Sequence, residues 1–234
     1  MEKLSIIIPA YNEAKTIRRV VEKIFSVSFP LDYEIIIIDD HSRDRTYRIV
    51  KLLNEKDISQ RIRLLHNDIN RGKGYCIRKG FEAATGSILI VQDADFEYDP
   101  SEIPKLLEPI LKNECDVIYG SRFLGKARPE GMAFANWIAN VFLTRLTNLF
   151  YGERITDMET CYKVMRRSRI QSIRLSAKRF DFEPEITAKL MRQGLPIREI
   201  PISYHGRTVE EGKKIKARDF FIAIWALVYY RFFD

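Results

Sequence analysis

Asp93 and Asp95 stand one residue apart, directly after the apolar run Ile88–Val91. Two carboxylates so spaced at a strand end can face one side if the backbone turns there. They are hard oxygen ligands suited to Mg²⁺ or Mn²⁺, ions that commonly bridge protein carboxylates to a substrate diphosphate. Glu97, two residues on, would add another oxygen. A helix cap is the competing account, but Asp99 or Ser101 fills that place better, before a helix with Pro100 at its start. A second acidic block, Asp39-Asp40-His41-Ser42-Arg43-Asp44-Arg45-Thr46, follows another apolar run. Asp40 can accept from a base N–H or a ribose hydroxyl, and Ser42 or Asp44 can cap the next helix. In Asn70-Arg71-Gly72-Lys73-Gly74, the glycines leave backbone N–H groups open to a phosphate and the basic residues add charge. A plain turn accounts for those glycines equally well. The run is neither G-x-G-x-x-G, since Ile77 replaces the third glycine, nor a Walker loop.

These groups need a scaffold that brings them together. Leu4–Ile8, Tyr33–Ile38, Ile62–His66, Ser87–Gln92 and Asp116–Tyr119 read as strands. Between them, Glu13–Phe25, Asp44–Asn54, Lys73–Thr85 and Ser101–Lys112 carry apolar residues at helical spacing. Strand–helix alternation predicts a mainly parallel sheet flanked by helices. The unbroken apolar runs in the first two strands suit strands covered on both faces. Ligands of such sheets bind beyond the carboxyl ends of the strands. Pro9–Glu13, Asp39-Asp40 and Asp93–Asp95 all fall at those ends. Four aspartates gathered there without a cation would repel one another. Further on, Phe134–Tyr151 reads as a helix with a broad apolar face, Lys163–Met165 and Ile197–Ile202 as strands, and Phe182–Gln193 as a helix closed by Gly194. Residues 1–212 are expected to form the catalytic domain, and 213–234 a basic and apolar appendage.

Composition narrows the partners. The chain has 234 residues, 46% hydrophobic and 12% aromatic, enough to bury a core. Its net charge is +7 and its pI about 9.2, a balance that attracts phosphate-bearing partners of any kind. The basic residues are interspersed with acidic ones and form no recognition module for nucleic acid, so none is expected as a partner. Cys76, Cys115 and Cys161 offer neither a disulfide framework nor a zinc spacing, which fits a reducing compartment. No secretory signal is read at Met1–Ile8. The apolar stretch Phe220–Phe233 is too short to span a bilayer and suits a docking helix or an interfacial one equally.

Taken in order, the motifs resemble the inverting family-two glycosyltransferases of the GT-A fold. Within that family the resemblance is to the polyprenyl-phosphate sugar synthases, typified by dolichol-phosphate mannose synthase. It runs from Leu4 to about Lys214. Its carriers are Pro9–Glu13, Asp39–Thr46, Asp93-Ala94-Asp95, Gly120-Ser121-Arg122, Thr156–Lys163 and Ile202–Arg207. The resemblance implies an α/β GT-A fold with C-terminal amphipathic helices. Pro9, Tyr11, Glu13, Ile38 and Asp40 would hold the base and ribose of a nucleotide sugar, with Lys73 and Ala94 in the same donor site. Asp93, Asp95 and Glu97 would hold Mg²⁺ or Mn²⁺, although relatives often carry Gln at the place of Glu97. Arg207 and Lys213 would clamp the donor diphosphate, and Arg122 the phosphate of a polyprenyl acceptor. A second acceptor arginine is missing near the start of the Phe134 helix, leaving Arg128 or Lys126 to substitute. Asp157 would serve as base or position Arg122.

The implied reaction moves a sugar with inversion to a polyprenyl phosphate. GDP-mannose is the favoured donor, with a UDP-sugar (glucose or N-acetylglucosamine) as alternative. Attachment is expected to be peripheral, at the cytosolic face of a membrane, through Phe134–Tyr151 and Lys213–Phe233. A soluble saccharide acceptor is the rival within the fold, and a non-catalytic nucleotide-binding module is the rival outside it.

Overall fold

The computed structural model describes residues 2–125, 128–129, 131–206 and 217–233. Arg207, Lys213 and Lys126 therefore lie outside the described residues. The strands are β1 (Lys3–Ala10), β2 (Asp32–Asp39), β3 (Ile62–His66), β4 (Ile88–Val91), β5 (Val117–Ser121), β6 (Lys163–Arg166) and β7 (Ile197–Pro201). The helices are α1 (Ile17–Ser26), α2 (Thr46–Lys56), α3 (Lys73–Ala83), α4 (Ile103–Leu111), α5 (Phe134–Tyr151), α6 (Arg167–Gln171), α7 (Phe182–Arg192) and α8 (Ala217–Phe232). The strands form one seven-stranded sheet in the order β3-β2-β1-β4-β6-β5-β7. β1 is parallel to β2 and β4, and β2 to β3, while β6 runs against β4 and β5. The mainly parallel, helix-flanked sheet matches the expectation.

The central strands are apolar on both faces because both are covered. Ile6, Ile7 and Ile8 of β1 and Ile35 to Ile38 of β2 have no solvent exposure. The chain winds from β1 outward to β3, then crosses back to place β4 on the other side of β1. Loops leaving β1 and β4 therefore diverge, and a crevice opens between them at the carboxyl edge. That switch point sets Pro9–Glu13 opposite Asp93–Asp95.

Element boundaries moved where side chains claimed the backbone. The first helix begins at Ile17 rather than Glu13, because Glu13 N–H donates to Thr46 Oγ1 at 2.8 Å and Asn12 adopts φ 53°. The second begins at Thr46, whose N–H donates to Asp44 Oδ1 at 2.9 Å. Ser42 caps no helix. Its hydroxyl accepts from Asn12 N–H at 3.0 Å, while Arg43 N–H donates to Asn12 Oδ1 at 2.8 Å. These bonds stitch the loop after β1 to the loop after β2. Asp99 accepts from Ser101 N–H and opens the 3-10 turn Pro100–Glu102 before α4. β5 runs on to Ser121, where Ser121 C=O accepts from Ile202 N–H at 2.9 Å. Helix α6 was not foreseen.

The C-terminal helix α8 docks on α5 and α7. Tyr151 Oη donates to Leu227 C=O at 3.0 Å, and Arg192 Nη1 to Tyr230 C=O at 2.8 Å. Ala223 and Leu227 join the main core. At the start of α5 the backbone of Gly131 crosses that of Gly206. A Cβ on Gly206 would lie 2.6 Å from Gly131 C=O, and one on Gly131, at φ +72°, 2.9 Å from Gly206 C=O.

Glu34 fastens the opposite edge of the sheet. One carboxylate oxygen accepts from Ser5 Oγ at 2.6 Å, Thr85 N–H at 2.7 Å and Thr85 Oγ1 at 2.8 Å, tying β2 to β1 and to the approach to β4. Burial alone would raise this carboxyl, but the bonds from Ser5 and Thr85, with Lys3 nearby, bring it below its ordinary 4.5. A depressed folded value stabilises fully above the unfolded pKa and loses that contribution as pH falls through the folded one. Glu34→Gln should cost about 1–3 kcal/mol at pH 7. In urea titrations the gap from the parent should close as pH drops below 4.5.

Candidate active site

A cavity of about 680 Å³ occupies the crevice. Pro9, Tyr11, Glu13, Asp40, Lys73, Asp93, Ala94, Asp95, Glu97 and Arg122 all line it. Among the described residues, Ile38 and Asp157, both expected in the site, do not. Ile38 is fully buried, and its Cδ1 lies 3.0 Å from where a Cβ on Gly80 would be, so its side chain packs against α3. Asp157 is fully buried behind Arg122.

The acidic block after β2 divides its labour. Asp39 faces away from the cavity: one oxygen meets His66 Nδ1 at 2.9 Å and Ser42 N–H at 3.2 Å. It braces the edge of the sheet. Asp40 turns inward and accepts from Asn67 Nδ2 at 2.8 Å, Arg71 N–H at 2.8 Å and Gly72 N–H at 2.7 Å. The N–H groups of Arg71, Gly72 and Gly74 are therefore not offered to a phosphate. Those of Arg71 and Gly72 go to Asp40, and those of Gly74 and Tyr75 to the carbonyls of Arg179 and Lys178. Gly72 is required by geometry, since at φ +95° a Cβ would lie 2.4 Å from Lys178 C=O. The plain turn is the correct account, and its use is to aim Lys73.

Lys73 Nζ lies 2.9 Å from Asp93 Oδ1 and 2.9 Å from Glu183 Oε1. Burial would lower its pKa, but Asp93 and then Glu183 hold it well above the usual value, so it remains an ammonium ion. Asp95 Oδ1 accepts from Glu97 N–H at 2.9 Å, and Glu97 Oε2 accepts from Tyr204 Oη at 3.0 Å. Among the described residues, no three His, Cys, Asp or Glu side chains form a metal cage. Glu97 is turned to Tyr204 here and is not grouped with the two aspartates. The pair alone fits an ion of the Mg²⁺ type, which takes one or two carboxylates and completes its shell with water and substrate phosphate.

At the other wall, Arg122 is held by Asp157 in a fork: Nε to Oδ2 at 2.7 Å and Nη2 to Oδ1 at 2.8 Å. Arg122 N–H also donates to Asp157 Oδ2 at 2.9 Å. Burial disfavours the charged guanidinium, yet Asp157 overrides it and keeps the cation in place. Tyr204 and Tyr98 present their rings 5.1 and 5.9 Å from it. Where a second arginine was sought, α5 brings Asn136 and Asn140 to the cavity, and Asn140 Oδ1 accepts from Arg122 Nη2 at 3.1 Å. Arg128 is exposed and does not line it.

Several cavity residues escaped the sequence reading. Glu183 sits in the first turn of α7, where a first-turn acid reads as an ordinary helix signal. Glu159 lies within the Thr156–Lys163 motif but drew no role. Burial, with the charge of Glu183, pushes its carboxyl up to about 8. Phe220, Phe221 and Ala223 of α8 supply an apolar wall.

The sequence profile of glycosyl transferase family 2 matches residues 5–174. The chain belongs to that family. Among curated family members, it is 28% identical over 209 residues to the low-salt glycan biosynthesis hexosyltransferase Agl6 of Haloferax volcanii, covering 88% of this chain and 49% of that protein. It is 27% identical over 219 residues to the dolichol-phosphate mannosyltransferase of Pyrococcus furiosus, covering 90% of this chain and 59% of that one. The chain thus spans about half to three-fifths of the length of these family-2 relatives. The fold superposes on glucosyl-3-phosphoglycerate synthase from Mycobacterium tuberculosis, solved with Mn²⁺, UDP and phosphoglyceric acid. There the TM-score is 0.75 and the identity 19%, over 100% of this chain and 80% of that one. The GT-A-like architecture of the family is therefore present throughout the described residues.

The Arg122–Asp157 pair has a measurable signature. Asp157→Ala leaves a buried guanidinium without its partner and should cost about 3–5 kcal/mol. Adding Arg122→Ala should recover part of that loss, which a double-mutant cycle from chemical denaturation reads directly.

Proposed function

We propose that this chain transfers a hexose from a nucleotide sugar to a polyprenyl phosphate with inversion, forming a lipid-linked sugar. One observation carries the reading: a single cavity joins the aspartate pair after β4, the buried Arg122, and an apolar wall contributed by α8. The first suits a diphosphate leaving group, the second an anionic acceptor, the third the hydrocarbon attached to it. The names of the relatives support the same class, and mannose from GDP-mannose is the first donor to test, with UDP-glucose and UDP-N-acetylglucosamine beside it.

Pro9, Tyr11, Glu13 and Asp40 would seat the nucleoside at the β1 side of the crevice. Asp93 and Asp95 would hold Mg²⁺ or Mn²⁺, which when bound offsets the charge growing on the departing nucleoside diphosphate. The acceptor phosphate, ionised near neutral pH, attacks the anomeric carbon as the bond to the diphosphate breaks. With a second pKa near 6, such a phosphate needs no strong base. Asp157, whose oxygens are turned to Arg122, is thereby left to position the cation that receives the acceptor. By the resemblance in motif order, Arg207 and Lys213 would clamp the donor diphosphate.

Peripheral attachment at the cytosolic face of a membrane completes the proposal. Among the described residues, no helix is long and apolar enough to cross a bilayer. Instead, Phe134, Ile138 and Phe142 recur every fourth residue on α5 and are exposed. Phe221, Trp225, Tyr229 and Phe233 do so along α8 and its end, with Trp225 63% exposed. Such stripes suit a helix lying in the interface.

Asp95→Ala should lower transfer to a short-chain polyprenyl phosphate by at least about 10³-fold, the loss expected when an ion's charge stabilisation goes. Its thermal melting should stay close to the parent's, and full activity would sink the metal role. Independently, Trp225→Glu should weaken sedimentation with anionic liposomes about tenfold or more while leaving nucleotide binding intact. Equal sedimentation of both proteins would remove the helix stripes from the account.

A further inference from the structure

Beyond the aspartates, the cavity ends in a wall whose chemistry the proposed reaction has not used. Glu183 is 5% exposed, and its Oε1 takes Lys73 Nζ at 2.9 Å. Its other oxygen is buried with no hydrogen-bond partner among the described residues, and so is Oε1 of Glu159. Both residues line the cavity. Buried carboxylate oxygens without a partner are rare in folded proteins and ask for a ligand. Lys163 does not serve them as a hydrogen-bond partner: its ammonium group donates to the carbonyls of Met158 and Thr160 and stacks 4.6 Å from the Tyr119 ring.

Position says which part of a donor would meet this wall. Asp93 and Glu183 share Lys73, each at 2.9 Å, so the wall begins one ion pair away from the carboxylates assigned to the diphosphate. In a nucleotide sugar, the group joined to the terminal phosphate is the sugar. We infer that Glu183 and Glu159 form the sugar-recognition wall, each binding a ring hydroxyl, and that the site accepts neutral hexosyl donors and rejects uronosyl ones. This rests on the nucleotide-sugar reading above and deepens it.

Hydroxyls satisfy the wall because they can donate to a bare carboxylate oxygen and accept from a protonated one. A hexose presents them at neighbouring ring carbons. A uronic acid would bring a third carboxylate beside Asp93 and Glu183, with Lys73 already shared between those two. Like charges this close are strongly disfavoured in a buried site, which excludes the wrong ligand by repulsion rather than by size. A site built to hydrogen-bond a hydroxyl also discriminates sharply against a ligand that leaves its polar groups unpaired.

The test uses the full chain with Mn²⁺ and measures dissociation constants by calorimetry for UDP, GDP, UDP-glucose, UDP-glucuronate, GDP-mannose and GDP-mannuronate. The parent should bind the hexosyl member of its preferred pair at least tenfold more tightly than the uronosyl member. In Glu183→Gln, and separately in Glu159→Gln, the bare nucleoside diphosphate should bind within about twofold of the parent. The advantage of the hexosyl donor over that diphosphate should fall about tenfold, and the hexosyl–uronosyl gap should narrow. Equal binding of the two members by the parent would overturn the inference. So would variants that weaken the bare diphosphate and the sugar donor in parallel, which is what a merely structural role predicts. Failure of the parent to bind any nucleoside diphosphate would instead remove the nucleotide-sugar reading and this inference with it.

Discussion

Concentrating carboxylates at one edge of a sheet is electrostatically costly, and most of the site's construction answers that cost. Asp40, Asp93, Asp95, Glu97, Glu159 and Glu183 all border one cavity. Each is answered differently. Asp40 accepts from two backbone N–H groups and an amide, Asp93 and Glu183 share one lysine, Asp95 accepts from Glu97 N–H, and Glu97 receives a tyrosine hydroxyl. The Glu159 carboxyl is pushed up by burial and by the charge of Glu183. A cation brought in with a substrate would meet a site already organised around positive charge, with Lys73 holding one of the two carboxylates it needs.

That arrangement explains the loop before α3. Aiming Lys73 into the crevice requires the chain to turn at φ +95° against the backbone of Lys178, which only glycine tolerates there. The same turn sends two N–H groups onto Asp40. The Asp40 side of the crevice and the lysine within it are therefore set by one short segment. Across the cavity, Asp157 does for Arg122 what Asp40 does for that loop: a buried carboxylate fixes the direction of a cation that faces the ligand space.

Much of this was legible in the sequence. Continuous β-branched runs forecast β1 and β2, and their covered faces follow from having helices on both sides. The end-of-strand rule put Pro9–Glu13 and Asp93–Asp95 at one crevice. Less legible was which aspartate faces in, because Asp39 and Asp40 are adjacent and a strand sends neighbours to opposite sides. Only the partner of Asp39, His66 on β3, shows that it belongs to the framework. Glu183 was invisible for another reason. An acid in the first turn of a helix is what dipole and capping effects already favour, so nothing in its local sequence marks a ligand. Its meaning comes from Lys73, more than a hundred positions earlier in the chain.

The crossing of Gly131 and Gly206 links two parts of the protein that composition treats as separate. One glycine opens the approach to α5, and the other lies in the segment after β7. Each backbone fills the space where the other's side chain would be. Neither position can drift alone towards a larger residue without pushing apart the entry to α5 and the backbone that follows β7. Over evolutionary time the two positions are a joint, heritable as a pair, in which each sets the size limit of the other.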